Sequence, residues 1–192
     1  MTPWSRILTG ASDEPILKAR DFRAVRFTIL LLLVGSFAVL PPTTQGDSKP
    51  SVELNVEQAA PRDVNETVAQ AIARDYSAAW QALAAALADN NAAALNDNFV
   101  GFSQDKLVRR IQDQQKAGLR TRIVDRGHKV KAIFFSTEGA TIEFEDTATL
   151  ETQILDGGKV LQSERAQLHF WVIMTGAEDR WKVRVLESAP GD

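Results

Sequence analysis

The chain has 192 residues, 44% hydrophobic and 24% charged, the composition of one globular domain of ordinary size with extensions. It has no cysteine, which excludes a disulfide framework, cysteinyl zinc or iron–sulfur centres, lipid attachment through cysteine and a thiol nucleophile. The net charge of -3 is uneven: residues 1–40 hold five basic and three acidic side chains, leaving 17 basic and 22 acidic beyond, and so acidic a distal part argues against nucleic acid as a partner.

Residues 1–26 carry weak order signals and read as a flexible cytoplasmic tail. The alternative is a short interfacial helix after Pro15, with Ile16, Leu17, Phe22 and Val25 on one side and Lys18, Arg20, Arg23 and Arg26 near the headgroups. Phe27–Leu40, FTILLLLVGSFAVL, is fourteen residues without a charge, followed at once by Pro41 and Pro42. As a helix it covers roughly 21 Å against a hydrocarbon core of ~30 Å, and extension from Ala24 through Thr44, with Arg26 snorkelling, brings it closer to spanning.

Three readings of this segment stand. One is a short signal anchor over 27–44 that contacts the lipid bilayer through Phe27–Leu40. The second is a signal peptide cleaved after Ala38, since Ser36-Phe37-Ala38 supplies small residues, which would make the protein secreted. The third, a buried core helix, fits badly beside so polar a linker. Four basic residues within Lys18–Arg26, against Lys49 alone within Pro41–Ala60, put the N-terminus in the cytoplasm. The C-terminal domain is then expected to be periplasmic or otherwise extracytoplasmic, on a single pass of the inner (plasma) membrane. The proline-rich stretch from Pro41, taken as a linker over 45–62, reads as extended rather than packed.

A helical stretch begins near Asp63, capped by Asp63 or Asn65, with an apolar stripe Val68, Ile72, Tyr76, Trp80, Leu83, Leu87 at helical spacing. Asp89-Asn90-Asn91 breaks it. A short second helix from Ala92 to about Asn98 and a third over Gln104–Ala117, capped by Ser103 and closed by Gly118, follow. From Leu119 the period becomes two. Four strand regions are expected: about Arg122–Phe135, bent at Gly127; Ala140–Leu155; Lys159–Thr175; and Arg180–Glu187. Their connections are short and rich in turn formers. A three-residue loop Asp156-Gly157-Gly158 pairs Leu155 with Lys159. It sets Ile142, Phe144, Ala148 and Ile154 opposite Val172, Phe170, Ala166 and Val160 on one face.

The expected fold is therefore α+β, with three N-terminal helices packed on a curved four-stranded antiparallel sheet over 63–188 and a short tail at 189–192. The long first helix (RDYSAAWQALAAAL), the acid-rich second strand (TIEFEDTATLET) and the closing strand (DRWKVRVLES) together resemble the nuclear transport factor 2-like superfamily. The resemblance implies a helix-plus-cone fold. Its membrane-tethered bacterial members imply assembly or docking as the role.

Asp146 stands among inward apolar residues of the second strand, where desolvation disfavours its charged form unless something donates to it. Tyr76 and Trp80 on the first helix are the available donors. With Phe144 they outline a pocket for a small-molecule binder or an isomerase- or cyclase-like enzyme. The opposing reading is a bulge that turns Asp146 to solvent, or a structural hydrogen bond to the helix. Of the two histidines, His169 is expected opposite Glu145 on the outer face, and His128 in a bend without a role. No metal site or cofactor motif is present. Trp171 and Ile173 on that outer face, beside Glu143 and together with His169 and Glu145, mark an interface for a protein partner or a homodimer; the opposing reading is that the N-terminal helices or the linker cover them. The leading expectation is a non-enzymatic docking or scaffold domain in the cell envelope; the cone pocket is the alternative.

Overall fold

Asn65 starts the first long helix: its side chain accepts the Val68 N–H at 2.9 Å, and Glu66 follows in the first turn, where negative charge suits the helix dipole. This helix, α1 (Glu66–Asp89), ends at Asn90 in the left-handed region, with the Asn90 N–H returning to Ala86 O. The Asn90 side chain donates to Leu119 O and accepts from Gln114, which ties together three segments of chain. The computed structural model describes residues 50–188. The expected cytoplasmic tail, the Phe27–Leu40 anchor, the start of the linker and the 189–192 tail lie outside the described residues. Among the described residues no helix is long and apolar enough to cross a membrane.

Among the described residues two α-helices are present where three helices are expected. Ala92–Leu95 forms a single 3-10 turn capped by the Asn91 side chain, and Phe99 then bridges to Val183, leaving too few residues for a helix. The second helix, α2, spans Phe102–Lys116, with Gly101 at its cap position. Ser103 is not its cap. It lies within the first turn and donates to Val183 O at 2.8 Å, which pins the helix to the last strand.

The sheet has six strands and is mixed, rather than four and antiparallel. β1 (Val52–Asn55) and β2 (Ala60–Pro61) both pair in parallel with β3 (Leu119–Phe135), so the stretch expected to be unpacked reaches the sheet. β4 (Thr141–Asp156), β5 (Lys159–Ala177) and β6 (Arg180–Ser188) complete it antiparallel, in the order β1-β3-β4-β5-β6. Gly127, with φ of 129°, sits in an irregularity between Asp125 and His128, a backbone conformation that a side chain would strain.

Register in the β4–β5 hairpin differs from the expected one. Asp156 pairs with Lys159 around a two-residue turn, and an irregularity at Ile154/Leu155 absorbs one extra residue, Leu161. Phe144 then faces Val172, and Ala148 faces Leu168. The displacement from expectation is an even one, so the apolar set keeps its face. That inner face, carrying Ile142, Phe144, Val172 and Met174, packs under the Ile72–Leu87 stripe of α1, all fully or almost fully buried. Each large apolar side chain sealed there contributes about 1.5–3 kcal/mol.

Candidate functional site

Alternation along β4 turns Asp146 inward, and the helical period of α1 brings Tyr76 above it. The Tyr76 hydroxyl donates to Asp146 Oδ2 at 2.6 Å. The same oxygen accepts from His128 Nδ1 at 2.8 Å, while His128 Nε2 donates to Asp125 Oδ2 at 2.6 Å. Asp125 Oδ1 takes the Gly127 N–H at 2.8 Å, which closes the bulge on itself. The His128 N–H donates to Ser51 O, so β1 is fastened to the same residue. The result is a chain of four side chains, Tyr76–Asp146–His128–Asp125, crossing from helix to sheet edge.

Rings fill the space around this chain. Trp80 lies 4.7 Å from the His128 ring, Phe144 5.0 Å edge-on to Tyr76, and Phe170 5.5 Å from Trp80. The side chains of His128 and Asp146 are 0% exposed and that of Asp125 is 10% exposed. Burial works against a charge on His128, but its hydrogen bonds to Asp125 and Asp146, with their charges, overcome it and raise the pKa to about 9. His128 is therefore a cation at neutral pH, with Trp80 packed against it. Burial, and then Asp146, keeps the Tyr76 hydroxyl protonated well above its usual range. Asp146 Oδ1 and Trp80 Nε1 are buried without hydrogen-bond partners.

Sequence reasoning places His128 in a bend with nothing to support a catalytic role; in the structure it is a buried β3 residue beside Asp146. The usable signal is the alternation of inward Val130 and Ala132 with outward Lys129 and Lys131, which extends back to an inward His128. Chemically the arrangement could relay a proton, yet the Tyr76 hydroxyl and both His128 ring nitrogens are matched to carboxylates inside the protein and rings pack around them.

The outer face is different. Trp171 is 39% exposed, and its indole N–H donates to Glu143 at 2.7 Å. Ile173 is half-buried beside it. His169 does not face Glu145: it lies opposite Thr147, whose hydroxyl is 3.1 Å from Nδ1. Glu145 stands between Lys131 and Trp171 in one row across the sheet. It also lines a surface groove of about 760 Å³ between the Asn55–Gln58 loop and the outer side of β3 and β4. Tyr76, Asp146, His128 and Asp125 do not border that groove. Among the described residues no group of His, Asp and Glu could hold a metal ion.

No protein-family model matches the chain, and no curated protein does. Solved structures do. The intermembrane space region of chloroplast protein ARC6 is similar with a TM-score of 0.55 and 13% identity, covering 67% of this chain and 100% of that one. The two share a fold. Lower similarity links the chain to a putative ketosteroid isomerase from Shewanella frigidimarina (TM-score 0.38, 15% identity, 60% of this chain and 94% of that one). A putative calcium/calmodulin dependent protein kinase II association domain from Xanthomonas campestris is comparable (0.41, 15%, 60% and 85%).

Proposed function

We propose that this chain is a non-enzymatic docking protein of the cell envelope, built on a nuclear transport factor 2-like domain. Phe27–Leu40 holds it in the inner membrane, with the N-terminus in the cytoplasm and the domain on the extracytoplasmic side. The outer face of the sheet, centred on Trp171, binds a protein partner, either a different chain or a second copy. One observation carries this reading: Tyr76, Asp146, His128 and Asp125 are hydrogen-bonded to one another behind packed rings, while a large aromatic is left open on the opposite face, next to Ile173. The cone-pocket alternative needs free volume beside Asp146, where Tyr76, Phe144 and His128 already stand in contact.

The test is in-cell crosslinking and pull-down of the full-length chain beside its Trp171→Glu variant. A discrete crosslinked species, lost in a variant that folds normally, is the expected result, and sedimentation at micromolar concentration tells a second copy from another protein. An unchanged crosslinking pattern in the variant refutes the proposal.

A further inference from the structure

The β4–β5 hairpin end exposes two neighbouring apolar side chains. Val160 and Leu161 are 44% and 55% exposed, and Leu161 is the extra residue that the irregularity pushes out of register. By register Val160 lies across Leu155 from Arg120, and Lys159 closes the turn. Arg122 is next along β3 on the same side as Arg120. Within Leu119–Ile123 and Gln153–Ser163 these three cations accompany a single acid, Asp156, although residues 50–188 as a whole hold 16 basic and 20 acidic side chains. None of the three has a carboxyl within ion-pairing distance among the described residues; Arg122 reaches only the Gln153 amide at 3.5 Å. Two open apolar side chains rimmed by uncompensated cations suit an anionic lipid surface, with the apolar groups in the headgroup–acyl boundary and the cations on phosphates.

The path of the chain points the same way. β1 runs parallel to β3 with Val52 level with His128, so the N-terminal end of β1 faces the Leu119 end of the sheet, the end that bears the hairpin tip. From His128 back to Leu119 the strand covers roughly 30 Å at the usual rise per residue. The nine residues Pro41–Lys49 span at most about 30 Å when fully extended. A tether of that reach is long enough to let this tip meet the bilayer. We infer that the β4–β5 hairpin tip docks onto anionic lipid headgroups through Val160, Leu161, Arg120, Arg122 and Lys159, and so fixes the orientation of the domain over the membrane. This rests on the membrane tether proposed above.

The chain lacks cysteine, so Leu161→Cys takes a single environment-sensitive fluorophore, with Glu138→Cys at the far end of the sheet as the control. The labelled full-length chain is reconstituted in phosphatidylcholine vesicles with or without phosphatidylglycerol, both carrying spin-labelled lipid, and floated on a gradient. Blue-shifted emission, quenched at position 161 but not at 138 and strongest with phosphatidylglycerol, is expected. Arg120→Gln, Arg122→Gln and Lys159→Gln should each lower the docking constant by roughly fivefold. Equal, unquenched emission at both positions in chains that float overturns the inference and leaves the tether standing. Chains that do not float overturn both. A response at 161 to an added single-stranded oligonucleotide or acidic peptide, without one to vesicles, overturns the lipid assignment in favour of that polyanion.

Discussion

His128 and His169 stand one row apart on opposite faces of one sheet, since His128 is level with Ala148 and Leu168 while His169 faces Thr147. The first is enclosed, gripped at both ring nitrogens by carboxyl groups and held charged. The second is exposed, with one hydroxyl contact. The same side chain is thus a rivet on one side and a replaceable surface group on the other. Water access and partner count, not residue type, make the difference. On the inner face polarity serves to fasten a helix and an edge strand to the sheet; on the outer face it is left free for contacts.

The contrast breaks most sharply at Asp146. Replacing it by leucine leaves a buried cation facing Asp125 alone and the Tyr76 hydroxyl without an acceptor, so a loss of about 3–5 kcal/mol in urea unfolding is expected. A variant as stable as the wild type would show that the four side chains do not act as a unit.

Next in size is the dependence on pH. The folded-state pKa of His128, about 9, lies above its unfolded value near 6.5, so the folded protein binds this proton more tightly. The associated stability is complete below about pH 6.5 and drains away as pH rises through about 9, a change on the order of 3 kcal/mol. Unfolding midpoints measured from pH 6 to 10 should fall over that window in the wild type and stay much flatter in His128→Gln. The smallest effect belongs to the other histidine: His169→Ala should change stability by no more than about 0.5 kcal/mol, and a larger loss in the same assay would mean the outer face is more tightly built than its exposure suggests.

Much of this was legible before any coordinates, and the omissions have physical causes. The inward set on β4, with Asp146 among it, and the Tyr76–Trp80 stripe on α1 follow from local periods, which every residue in the element repeats. His128 was missed because the irregularity at Asp125–His128 resets the alternation just before it, and a glycine beside a polar residue reads as a bend. β1 was missed because its partner is His128–Lys131, far along the chain, and parallel pairing leaves no turn between the strands to reveal it. The hairpin register slipped for a related reason: Gly157-Gly158 marks the turn, but nothing in Val160-Leu161-Gln162 announces which residue will be extruded.

The parallel placement of β1 also sets how the domain would bear a load. Tension applied at Pro50 along the strand axis slides β1 against β3 instead of peeling it away. Its backbone hydrogen bonds, together with the one from His128 to Ser51, then resist at the same time. The fastening built around one enclosed imidazole thereby becomes the mechanical root of this edge strand.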